Sequence, residues 1–245
     1  MKTIKLTIEY DGTAYNGWQA QAGGNTIQQI VEAAIVAVTG ETVKLHGSGR
    51  TDAGVHALGQ VAHFQSDTAI PTDKLPAAIN AHLPDDIAVR AAAEASDDFH
   101  ARYSAVRKTY RYTIVQQPTR PVLERRFAHW VSKPLDVERM RAAAEHLRGE
   151  HDFSAFESKS DKCSGTRTIE RLDIRATAGR IEIEVTANGF LYNMVRGIVG
   201  TLLEVGRGKM EPDDVRRVLE SRERSEAGPT APACGLCLMS VEYHQ

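Results

Sequence analysis

Residues 170–189, ERLDIRATAGRIEIEVTANG, alternate polar and apolar side chains on both sides of Ala178-Gly179. A period of two puts every second residue on one face of a strand, and a Gly-containing pair between two such runs signals a hairpin. A hairpin patterned this way requires an antiparallel sheet with one face in water and the other covered. KTYRYTIV, residues 108–115, alternates in the same manner and is predicted to be a further strand. Helical spacing supplies the cover: Asp136–Leu147 stopped by Gly149, residues 190–205 stopped by Gly206, and about 212–221. A closing strand is predicted at 235–243.

The first hundred residues have the same theme. Residues 3–10 alternate as a strand and meet the turn formers Asp11-Gly12. Thr26-Ile27-Gln28-Gln29 has capping-box spacing, and Ile27, Ile30, Val31, Ala34, Ile35 and Val38 follow at helical intervals as far as Gly40. Strands at 43–48 and 59–66, a helix at 72–82 and a strand at IAVRAAAEA (87–95) complete the half. The pattern predicts an α+β fold of two related subdomains, 1–101 and 102–245, with no flexible linker. They are expected to share a broad, mixed, largely antiparallel sheet with helices mainly on one side and a central cleft for the active site.

Composition excludes several classes. No apolar run approaches the roughly 18 to 20 residues of a membrane helix, and MKTIKLTIEYDG lacks the apolar core of a signal peptide. A cytoplasmic protein is expected. Three cysteines, Cys163, Cys234 and Cys237, make no disulfide framework. ACGLCLMSVEY reads as the final strand, so the two sulfurs of its CxxC would diverge rather than share a metal. His56 and His63 have no further donors at metal spacing, and structural roles are favoured for both. Gly206-Arg207-Gly208 lacks the full phosphate-loop pattern.

The net charge is only −2, but it is unevenly spread. From His100 to Trp130, Arg102, Arg107, Lys108, Arg111, Arg120, Arg125 and Arg126 face a single acid, Glu124, a local net of +6. Tyr103, Tyr110, Tyr112 and Trp130 are interleaved with them. Cations among aromatic faces suit a polyanion with bases to stack. A solvated basic strand with its aromatics turned inward fits the same composition.

Two charged positions stand out. GSGRTDAGVHALG, residues 47–59, sets Arg50 and Asp52 on a loop between strands, among four glycines. An Asp there can simply cap turn amides. An Arg two residues away also stabilises a charged carboxylate, which then suits a nucleophile or an electrostatic partner for a cationic sugar centre. The small neighbours are expected to let a polyanion backbone come close. Arg196, among the apolar residues of GFLYNMVRGIVGTLLEVG, is either a solvated cation beside a core stripe or the partner of a carboxylate such as Asp52.

From end to end the chain resembles the TruA family of tRNA pseudouridine synthases. The resemblance rests on YDGTAYNGWQAQ with TIQQIVEAAI, GSGRTDAGVHALGQVAHF, FHARYSAVRKTYRY, HDFSAF, GFLYNMVRGIVGTLLEVGRGK and APACGL, in the family's order. Ser48 stands where Ala is also usual, and Gly197 where Asn is frequent. The resemblance implies isomerisation of uridine to pseudouridine at positions 38 to 40 of the tRNA anticodon stem-loop, with no cofactor and no metal. It makes Asp52 the essential carboxylate, whether by attack at C1′, addition to the base or assistance to elimination. Tyr110 matches the tyrosine that stacks on the target base, Arg50 the arginine that helps flip it out, and Arg196 the arginine paired with the carboxylate. It also implies a cytoplasmic homodimer with basic clefts for tRNA.

Two other classes remain to be separated from this one. A silent RNA-binding module would not need Arg50, Asp52 and Tyr110 together. A nucleoside hydrolase would want a second catalytic carboxylate, and the loop offers one.

Overall fold

In the computed structural model, residues 1–158 and 165–244 are described, so Cys163 lies outside the described residues. The described chain is α+β, with mixed and mostly antiparallel strand pairing. It divides into two compact units, Met1–Val106 with Cys237–Gln245, and Arg107–Leu236. The break after Val106 lies five residues beyond the 101/102 boundary expected from sequence, and the last strand returns to the first unit.

In the first unit, β1 (Lys2–Tyr10) runs antiparallel to both β3 (His56–Ser66) and β4 (Ile87–Ala95). β10 (Leu236–Tyr243) lies parallel to β3, with Cys237 opposite His56. Alternation along β1 buries Ile4, Leu6 and Ile8, as a half-covered sheet requires. α1 (Ile27–Thr39) buries Ile27, Val31, Ala34 and Ile35, and packs on α2 (Leu75–Asn80). Its start follows the expected capping pattern. The Thr26 hydroxyl oxygen accepts from the Gln29 amide at 3.4 Å, and the helix ends at Gly40 in the left-handed region.

In the second unit the order is β5 (Ala105–Gln116), β9 (Arg180–Ala187), β8 (Thr166–Thr177), β7 (Gly149–Asp152). β6 (His129–Val131) pairs parallel with β5. The hairpin is as predicted: Thr177 faces Arg180 across Ala178-Gly179. α3 (Val137–Glu145), α4 (Met194–Gly206) and α5 (Asp214–Ser221) belong to this unit, with α3 packed on α4, α5 and β8. α4 carries most of the helical core, including Ile198, Val199, Leu202 and Val205.

Several boundaries differ from the pattern. The strand expected at 43–48 contracts to β2 (His46–Gly47), and β3 starts at His56 rather than 59. The helix expected from 190 begins at Met194, because Asn193 sits at φ 61, outside the helical region. Gly206 is the last residue of α4 rather than its stop. The helix expected at 72–82 shortens to α2, which has Pro76 in its first turn. Cys234 is not on the final strand. It lies in the short turn Ala233–Gly235, and only Cys237 is in β10.

Candidate active site

The Arg50–Asp52 loop is held by a buried polar scaffold within the first unit. Thr51 turns inward, where its hydroxyl and that of Tyr10 lie 2.8 Å apart. The Thr51 carbonyl accepts from the Trp18 amide at 3.0 Å, tying the loop to the segment that leads into α1. Gln60 donates to the Gly49 carbonyl at 3.0 Å and accepts from the Ser48 hydroxyl at 2.7 Å. The Val55 amide closes a tight turn onto the Asp52 carbonyl at 3.1 Å, with Gly54 at φ 78 in its third position. Burial of Tyr10 pushes its hydroxyl pKa up, so this network carries no charge at neutral pH.

Beside the buried Thr51, Asp52 is half-buried and Arg50 exposed. Arg50 Nε donates to Gln19 Oε1 at 3.2 Å. Gly47 serves this packing. A Cβ at Gly47 would lie 2.5 Å from Trp18 Nε1, so the indole occupies the space a side chain would need. His56 and His63 are structural. His56 Nδ1 accepts from the Gly12 amide at 3.1 Å, and His63 Nδ1 accepts from the Ala101 amide at 3.1 Å. Among the described residues, no group of three or more His, Cys, Asp or Glu is placed to hold a metal ion.

Tyr110 and Arg196 belong to the second unit. Tyr110 is opposite Val185 in the β5–β9 ladder, only 7% exposed, with Phe190 standing edge-on at a ring distance of 5.1 Å. Arg196 is in the first turn of α4 and half-buried. Its Nε donates to the Ala231 carbonyl and one terminal nitrogen to Asn193 Oδ1, both at 2.7 Å. Two hydrogen bonds fix the orientation of the guanidinium fork, which is how such a group is preorganised.

The basic stretch is less uniform than its composition. Arg111 pairs with Glu184 at 2.9 Å, and Arg107 reaches Glu170 at 3.4 Å. Glu124, the single acid, pairs with Arg180 at 2.5 Å. Tyr110 and Tyr112 are both buried, at 7% and 0% exposed, and the inward reading holds for Tyr112. Arg120, Arg125 and Arg126 lie in the exposed loop 118–127, and Tyr103 and Trp130 remain exposed. A groove of about 570 Å³ elsewhere in this unit, between α3, β7 and α5, balances Arg148, Arg216 and Arg222 against Glu145, Asp152 and Glu220. It has no net field to attract a polyanion.

Sequence reasoning missed the supports Trp18, Gln19, Tyr10 and Gln60, and Asn193 beside Arg196. The run YDGTAYNGWQAQ contains three of them, but nothing in its spacing assigns them to a loop thirty residues on.

The family profile described as "tRNA pseudouridine synthase" matches residues 6–104 and 143–244. The chain belongs to the TruA family of tRNA pseudouridine synthases, and as a pseudouridine synthase it is an isomerase. Among its relatives, tRNA pseudouridine synthase A of Thermoanaerobacter sp. (strain X514) is 50% identical over 244 residues, covering 99% of this chain and all of that protein. tRNA pseudouridine synthase A 2 of Clostridium perfringens has the same identity and coverage. tRNA pseudouridine synthase A of Bacillus velezensis is 48% identical over 246 residues, covering 98% of each. A chain of the archaeal box H/ACA sRNP Nop10–Cbf5 complex aligns at a TM-score of 0.40 with 12% identity, covering 91% of this chain and 60% of that one, a likeness too loose to bear on the fold.

Proposed function

We propose that this chain converts uridine to pseudouridine at positions 38 to 40 of the tRNA anticodon stem-loop, with Asp52 as its catalytic carboxylate. The reaction breaks the C1′–N1 bond, turns the uracil in place and joins C1′ to C5. The C5 proton leaves and N1 gains one, so substrate and product are isomers and nothing is oxidised. The observation that carries the reading is the Thr51 anchor, which fixes a short loop with Arg50 exposed and Asp52 half-buried on either side of it. A carboxylate so placed acts on the sugar and base through position and charge.

The other roles follow the family pattern. Tyr110 stacks on the extruded base, and its packing against Phe190 limits the freedom it must lose. Arg50 acts in extrusion, which costs a few kcal/mol in a paired stem. Arg196 keeps Asp52 charged and aimed, supported by its own two fixed hydrogen bonds. The protein works as a cytoplasmic homodimer. No helix in the described residues is long and apolar enough to cross a membrane, which leaves that reading open to it.

The test uses unmodified tRNA transcript carrying tritium at uracil C5. Release of label is expected, with loss of release when uridines at 38, 39 and 40 are all replaced by cytidine. Arg196→Met is expected to slow turnover about 10- to 100-fold, the range of a charge-assisted hydrogen bond, with a smaller change in tRNA affinity. Free uracil as product would instead identify a hydrolase, and binding without release a silent RNA-binding module.

A further inference from the structure

Tyr103 is a large aromatic residue left 76% exposed, yet its setting is unusually well defined. It follows His100 in the turn between β4 and β5, and that turn is clipped by five hydrogen bonds. His100 Nδ1 accepts from the amides of Arg102 and Tyr103 at 3.1 and 3.4 Å. The His100 amide donates to the Ser104 hydroxyl at 3.0 Å. The Ala101 amide donates to His63, and the Ala101 carbonyl accepts from the Tyr243 hydroxyl at 2.8 Å.

Behind the turn the rings of His46, His63 and His100 form a triangular cluster, with His46 and His100 5.6 Å apart. His46 stacks on His63 with centroids 5.2 Å apart, and His63 meets His100 edge-on at 4.7 Å. His100 in turn lies 4.3 Å from the Tyr103 ring, tilted by 34°. Tyr103 joins this cluster through His100 and is otherwise in solvent. The Arg102 guanidinium carbon lies over the Tyr103 ring, 5.7 Å from its centre. Burial and the neighbouring histidines hold the His63 pKa down at about 4, so its Nδ1 stays an acceptor at neutral pH.

We propose that Tyr103 is a nucleobase platform: an unpaired base of the RNA substrate stacks on its exposed ring, while the Arg102 guanidinium held over that ring turns to the adjoining phosphate. This rests on the reading of the protein as a tRNA-modifying enzyme and adds a contact to it. The chemistry fits a base because the ring is presented rigid, beside a cation, and without a core partner on its outer side. A base stacked on an aromatic side chain loses little entropy to a platform that is already ordered. A membrane or an apolar peptide would want a broader apolar surface than one ring beside an arginine.

The experiment measures tRNA dissociation constants and single-turnover rates for the full chain with Tyr103→Ala, Tyr103→Leu and Tyr103→Phe. The Ala variant is expected to weaken binding about tenfold, within the range of base–aromatic stacking, with the loss in affinity rather than in the rate from saturated complex. Phe keeps the ring and is expected to restore wild-type affinity, whereas Leu keeps only apolar bulk and is expected to resemble Ala. Unchanged affinity in the Ala variant overturns the proposal, and so does Leu matching wild type. Wild-type enzyme that releases no C5 label overturns the proposed function instead, and the affinity series still decides the platform.

Discussion

The loop at 48–55 and the basic stretch at 107–130 make opposite use of their charges. The loop holds two charged side chains, and its scaffold turns Thr51 inward between an exposed Arg50 and a half-buried Asp52. The basic stretch holds six cations, yet Arg111 reaches a carboxylate of β9 and Arg107 one of β8, and Tyr110 and Tyr112 are buried. Spacing within a short motif therefore says more about chemistry than a charge count over a long one. Charges on a sheet face find cross-strand partners, whereas charges on a pinned loop keep the direction the backbone gives them.

Gly47→Ala strikes the loop hardest without touching a charge. Its new methyl would fall on the Trp18 indole, itself 2% exposed with nowhere to go. Stability is expected to fall by about 1–3 kcal/mol, read as a lower urea midpoint, with turnover falling too. A neutral result would mean that the loop is softer than its packing implies.

The basic stretch separates under mutation in the opposite way. Arg125→Gln in the exposed loop is expected to weaken tRNA binding several-fold and to reduce the salt slope by about one. Arg111→Gln is expected to change affinity less than twofold, because its guanidinium already answers Glu184. Equal losses from the two would restore the uniform basic groove.

The smallest effect is one of pH. The His63 pKa is lowered from 6.5 to about 4, mainly by burial. His46 from β2 and His100 face it, Lys5 is its cross-strand neighbour, and Arg102 and Tyr243 lie around the same turn. Between those two values the unfolded chain binds a proton that the folded chain refuses. Stability from this group is full above about pH 6.5 and is lost as the pH falls towards 4. Urea midpoints measured from pH 7 to 4.5 should decline, and His63→Asn should flatten the decline.

Much of the fold was legible because local signals agreed with tertiary packing. The Ala178-Gly179 hairpin and the Thr26-to-Gly40 helix emerge as the patterns predict. The start of α4 was not legible, since a left-handed Asn193 leaves no periodic trace. Alternation puts Tyr110 and Tyr112 on one face of β5, but only burial decides that the face looks inward. In the site, Arg50 and Asp52 were visible as a motif. Trp18, Gln19 and Gln60 were not, because their contacts span 11 to 31 residues or more of chain.

The central claim is that Asp52 performs chemistry and does not merely cap a turn. Asp52→Asn keeps the shape and removes the charge. Single-turnover release of C5 label from saturating tRNA should then fall by about four orders of magnitude, while the tRNA dissociation constant stays within about threefold of wild type. Release within tenfold of wild type would contradict the account and return Asp52 to the role of a turn residue.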